Sequence, residues 1–95
     1  MADYDTAAIR AAARKLDNIA NSVNSIRSKD IKAVQSTVKS LKGDSVSALD
    51  EAADELGSEL NSMRKGLESC ADALYDFARR LDEADARAKA MMNQQ

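Results

Sequence analysis

From Val46 to Met91 the residues Val46, Leu49, Ala53, Leu56, Leu60, Met63, Leu67, Cys70, Leu74, Phe77, Leu81, Ala84, Ala88 and Met91 alternate spacings of three and four without interruption. Such a run is the a/d pattern of a coiled-coil helix, and the residues between are mostly polar. It predicts one helix over about 46–91, roughly 70 Å long at ~1.5 Å per residue. A lone helix of that length cannot cover its own seam, so another part of the chain or a partner must do so.

The first arm repeats the pattern with one fault. Ile9, Ala12, Leu16, Ile19, Val23 and Ile26 run in step, and Ile31, Val34, Val38 and Leu41 resume one residue late. The shift falls at Arg27-Ser28-Lys29-Asp30, beside Asn and Ser residues of weak helix propensity. A helix over about 5–41 with local unwinding or a bend at 27–30 is therefore expected. Asp3, Asp5 or Thr6 can cap its start, and Lys39 and Lys42 suit its C-terminal end.

Between the arms stand Gly43, Asp44 and Ser45. Gly43 can take the left-handed conformation that ends a helix, and Asp44 or Ser45 can cap the next one, which predicts a turn over 42–45. The tail after Met91 is expected to fray. The chain has no proline, three glycines, two tyrosines and one phenylalanine, a composition that favours helix over sheet.

The fold class is thus all-α: a single domain over 1–95, an antiparallel two-helix hairpin with a central turn. Two isolated helices cover their seams poorly, so the hairpin is expected to pair into a four-helix bundle. The expected partner interface is Leu16, Ile19, Val23, Ile26, Leu49, Leu56, Leu60, Met63, Leu67, Leu74 and Phe77. Residues 1–42 carry eight Lys/Arg against four Asp/Glu and residues 44–95 carry six against twelve, so the two arms should attract each other. Gly57 and Gly66, inside the second helix and flanking the seam, either let a partner approach closely or are tolerated surface residues.

The net charge of −2 speaks against a nucleic-acid partner, which calls for a basic face. Without histidine the commonest general base and metal ligand is missing. Asp50, Glu51, Asp54, Glu55 and Glu59 read as a solvated face near the positive end of the helix dipole, not as a metal site. Cys70 has no second cysteine to pair with and occupies a seam position, which suits a small core residue. No enzyme, metal or cofactor is expected. No stretch approaches the ~20 apolar residues that span a membrane, and the N-terminus lacks the continuous apolar core of a secretory signal peptide.

Two arms of about 40 residues around Leu41-Lys42-Gly43, followed by Val46 and Leu49, resemble the WXG superfamily of early-secreted-antigen-like helical hairpins. The segment Phe77-Ala78-Arg79-Arg80-Leu81-Asp82-Glu83-Ala84-Asp85 is similar to the closing segment of that family, in which a tyrosine precedes an acid by four positions. Here Leu41 stands in place of the tryptophan of the turn and Leu81 in place of the tyrosine, with Asp85 as the acid. The resemblance implies a type VII secretion substrate or co-secreted chaperone from a Gram-positive bacterium. Such a chain would be cytoplasmic before export and would leave the cell without a cleavable signal peptide. Its turn motif would be Leu41 and Gly43, and its export-signal positions Leu81 and Asp85, read by the secretion ATPase.

A chain weak in both motifs resembles one member of a heterodimer whose partner supplies the signal. That partner would be a homologous small hairpin or the N-terminal helical region of an LXG-type exported toxin. Self-pairing in a coiled-coil scaffold without a secretion role is the alternative reading. A membrane-surface helix ranks third, because the first arm offers only a weak cationic face.

Overall fold

The computed structural model describes residues 5–41, 43 and 45–94. Every regular element among them is helical: α1 (Thr6–Ser25), one π-helical turn (Ile26–Asp30), α2 (Ile31–Lys39) and α3 (Val46–Asn93). α1, the π turn and α2 join without a non-helical residue, so the first arm is one rod, and α3 returns antiparallel along it. The hairpin measures 80 × 15 × 14 Å.

Local chemistry sets the ends. Asp5 is the N-cap of α1, its Oδ1 accepting the Ala8 amide at 3.0 Å. Asp3, the other acidic cap candidate, lies outside the described residues. The first arm stops at Lys39, two residues before the expected Leu41. There the amides of Ser40 and Leu41 donate to the carbonyls of Thr37 and Val38 at 3.1 and 3.0 Å, tightening the last turn. Gly43 follows with φ +132°, a conformation that a side chain would strain.

Lys42 and Asp44, expected at the helix end and as a cap, lie outside the described residues. Ser45 stands at the N-cap of α3, but its backbone is already helical (φ −85°, ψ −5°) and its hydroxyl makes no capping bond, contrary to the expectation. The first amides of α3 use backbone acceptors instead, Val46 donating to Gly43 and Leu49 to Ser45. At the far end α3 continues through Met92 and Asn93, so those residues of the supposed frayed tail are helical.

The fault at 27–30 is a π turn. The Ile31 amide donates to the Ile26 carbonyl five residues back, so one extra residue is absorbed without breaking the rod. Ile26 and Val34 therefore lie eight residues apart yet hold equivalent positions, as Ile19 and Ile26 do seven apart.

The arms meet along two rows each. On the first arm these are Ile9, Leu16, Val23, Ile31 and Val38, beside Ala13, Ala20, Arg27 and Gln35. On α3 they are Val46, Ala53, Leu60, Leu67, Leu74 and Leu81, beside Asp50, Gly57, Arg64, Ala71, Ala78 and Asp85. All are buried or half-buried. In the half near the chain ends Ala13, Ala20, Ala71 and Ala78 have no solvent exposure, because a methyl side chain lets two helix backbones approach closely. In the half near the turn the equivalent places hold Arg27, Gln35, Asp50, Gly57 and Arg64, so polar side chains stand there beside the buried Val38 and Ala53. Gln35 is buried and its amide donates to Asp54 Oδ1 at 2.5 Å across the arms.

Candidate functional site

The long seam read from the sequence is split by the structure. Its first half, the row from Val46 to Leu81, faces the other arm. Its second half, the row Leu49, Leu56, Met63, Cys70, Phe77, Ala84 and Met91, is exposed throughout. The first arm divides likewise, with Ala12, Ile19, Ile26, Val34 and Leu41 exposed. A seam one helix presents to a single neighbour would not divide in this way. Here the inner contact is shifted one position toward the alanine and glycine row, where the arms can come closer.

Both outer rows lie on one side of the hairpin. On each arm the outer row is rotated from the inner rows in the same sense, viewed from N- to C-terminus. Because α3 runs opposite to the first arm, equal rotations bring both outer rows to the same face. Ile19, Ile26, Val34, Leu41, Leu49, Leu56, Met63 and Phe77 on that face keep between 42% and 54% of their surface exposed. A continuous apolar face of this length marks an interaction surface.

The opposite face is polar and largely self-satisfied. Arg10 donates to Asp82 Oδ2 at 2.6 Å there, and Arg64 donates to Asn61 and Glu68. The Arg10 guanidinium, and then the Thr6 hydroxyl, hold the Asp82 carboxyl below its ordinary range. A groove of 230 Å³ opens beside the π turn, lined by Arg27, Lys32, Gln35, Asp54 and Asn61 among others. Arg27 Nε and Asp50 Oδ1 are buried without a hydrogen-bond partner.

The expected attraction between arms is realised in few contacts. Arg10–Asp82 is the one ion pair that crosses the hairpin among the described residues. The others, Arg64–Glu68, Arg79–Asp76, Arg79–Glu83 and Arg80–Asp76, lie within α3. Lys15, Lys29, Lys32 and Lys39 of the first arm are exposed, where water screens them.

Of the eleven expected interface residues, Ile19, Ile26, Leu49, Leu56, Met63 and Phe77 stand on the apolar face. Leu16, Val23, Leu60, Leu67 and Leu74 lie between the arms and hold the hairpin together, so as a set the eleven are not one outward surface. Val34 and Leu41 belong to the face as well, and their spacing from Ile26 is the signal that finds them. Cys70, expected as a core residue, is exposed on the outer row.

Leu41 of the turn motif is exposed, and Gly43 takes the positive φ already described. Leu81 and Asp85, the export-signal positions, are half-buried and face the first turns of α1. Gly57 lies between the arms, where an added Cβ would meet Ile31 Cγ2 at 4.0 Å, whereas a Cβ on Gly66 would meet nothing.

Among the described residues no group of three or more His, Cys, Asp or Glu is arranged to hold a metal ion. Glu51, Asp54, Glu55 and Glu59 are exposed and Asp50 is half-buried. No helix among those residues is long and apolar enough to cross a membrane.

No curated protein and no solved structure matches the chain significantly. The family model described as proteins of 100 residues with WXG matches it over residues 2–86. With a helical hairpin, a glycine-centred turn and a match over most of its length, the chain belongs to the WXG100 family, which is associated with type VII secretion substrates.

Proposed function

We propose that this chain is a type VII secretion substrate or co-secreted partner that works by binding and not by catalysis. The observation that carries the reading is the apolar face. Its leucines, isoleucines and valine stay about half exposed although the hairpin is complete, and a second helical hairpin laid on the face would close a four-helix bundle. Family membership supports the link to secretion.

Leu81 and Asp85 are the candidate positions that the secretion ATPase would read. Leu81 lacks the aromatic ring of the family's signal, so a partner hairpin with a complete signal would direct export of the pair. That partner would be a homologous small protein or the helical N-terminal region of an exported toxin.

The test is export. The epitope-tagged chain is expressed in a Gram-positive host with a type VII system, alone and with a signal-bearing hairpin protein, in strains with and without a functional secretion ATPase. The chain is expected in the medium only when the ATPase is intact, and in greater amount with a signal-bearing hairpin. Equal amounts in the medium of both strains would remove the secretion role.

A further inference from the structure

We infer that the groove beside the π turn is a binding site for inorganic phosphate, held by Arg27 and Lys32 of the first arm and recognised through its proton by Asp54 of α3. The inference goes beyond the secretion role and does not depend on it. The groove opens on the polar side of the hairpin, so a second hairpin on the apolar face would leave it open.

A small residue shapes the floor. Gly57 has no side chain, and a Cβ there would meet only Ile31 Cγ2, at 4.0 Å. The walls above are polar, with Arg27, Lys32 and Gln35 on the first arm facing Asp54, Ser58 and Asn61 on α3. At 230 Å³ the groove is smaller than the ~300–1,000 Å³ of pockets that enclose drug-sized ligands, so it suits a small occupant.

Most of the wall groups are donors, and several are unspent. Arg27 donates through Nη2 to Asn24 Oδ1 at 2.8 Å, while its Nε is buried without a partner. A buried donor left unmet on a charged group is costly, and an anion that accepts from this guanidinium relieves the cost. Neither Arg27 nor Lys32 makes an ion pair among the described residues. Arg64 holds the Asn61 side-chain oxygen at 2.9 Å, which leaves the Asn61 amide nitrogen as a further donor. Two cations and a set of neutral donors against one acid call for an anion.

Asp54 decides which anion. Its Oδ1 accepts from Gln35 Nε2 at 2.5 Å across the arms, which fixes the carboxylate in place, and its Oδ2 has no partner among the described residues. Sulfate or a carboxylate has no proton to offer that oxygen at neutral pH and is repelled by it. Inorganic phosphate keeps a P–OH there and can donate it to Asp54 while its other oxygens accept from Arg27 and Lys32. A phosphate ester has lost that proton above its second pKa near ~6, so the free ion is the better match.

The test is an NMR titration of the full chain at pH ~7.5 and fixed ionic strength, with phosphate, sulfate and glycerol phosphate as probes. Phosphate should move the amide signals of Gly57, Ser58 and Asn61 and saturate at about millimolar concentration, and the other two probes should not. Lys32→Gln, at an exposed position, and Arg27→Gln should each weaken phosphate about tenfold, one charge-assisted hydrogen bond apiece, with the helical spectrum kept. Asp54→Asn should admit sulfate, because an amide donates where the carboxylate repels.

Signals that drift without saturating, or sulfate bound by the parent as tightly as phosphate, would overturn the site. So would phosphate binding that is unchanged in both Lys32→Gln and Arg27→Gln. None of these readouts involves export or a partner hairpin, so the phosphate site and the secretion role fail separately.

Discussion

Deleting Ser28 should leave the hairpin folded, whereas deleting a single residue from α3 should not. The π turn Ile26–Asp30 holds one residue more than an α-helix needs to keep Ile26 and Val34 on one face. With Ser28 removed, Ile26 and Val34 become seven residues apart, the segment closes as plain α-helix, and every inner residue keeps its neighbour. Stability should change by less than about 1 kcal/mol, and upward if anything, because a weak helix former leaves with the π turn.

Deleting Ser62 from α3 meets no such reserve. It turns everything beyond it by about 100° relative to the first arm. Leu67, Leu74 and Leu81 then leave the inner row together with Ala71 and Ala78. At about 1 kcal/mol for each half-buried leucine and ~0.8 for each buried methyl, the loss is roughly 5 kcal/mol. A loss of that size removes much or all of the margin of a small domain. Thermal unfolding followed by circular dichroism at one fixed protein concentration separates the cases. Ser28 deletion should keep the midpoint within about 8 °C of the parent, and Ser62 deletion should lower it by about 20 °C or more at roughly 4–8 °C per kcal/mol. Equal damage from the two deletions would refute the reading of the π turn as a spare residue.

Ala71→Leu places a large side chain where no solvent-accessible space exists and should cost ~1–3 kcal/mol by denaturant unfolding, while Gly66→Ala, with nothing near its Cβ, should gain up to ~1 kcal/mol from helix propensity. Asp82 titrates below its ordinary range because of Arg10 and then Thr6, and Asp76 because of its hydrogen bond to Arg79. Their folded pKa values are depressed, so the stability they add is present above the ordinary carboxylate range near 3.8 and is lost as pH falls through the folded values. Acid unfolding of Asp82→Asn should show a smaller stability loss below pH ~4 than the parent. Ile26→Glu/Leu56→Glu, both on the exposed face, should leave the helical spectrum unchanged and abolish pairing in sedimentation or scattering.

The helices, the turn and the site of the π insertion were legible because hydrophobic spacing reports rotation about a helix axis directly. Which half of the seam faces inward was not. An a/d stripe is wide enough to meet a neighbour on either flank, and Leu49 and Leu60 look alike in a list of spacings. The choice is made by the adjacent row, where Ala13, Ala20, Gly57, Ala71 and Ala78 allow the backbones to approach. Small residues recurring every seven positions beside the seam were therefore the available signal.

The polar contacts were harder to foresee. The arms' opposite charges imply a mutual attraction, yet position on the helix, and not net charge, selects Arg10 and Asp82. Capping was legible at Asp5, whose side chain had three residues of backbone ahead of it, and misjudged at Ser45, whose helical backbone keeps its hydroxyl from the amides of the next turn.

The central claim is that the exposed apolar face binds a second hairpin, and co-purification with a signal-bearing hairpin, for the parent beside Ile26→Glu/Leu56→Glu, tests it most directly. A stable helical complex is expected with the parent, and a helical but unbound chain with the variant. Capture of the hairpin by the variant as strongly as by the parent would place the interface elsewhere and contradict the claim.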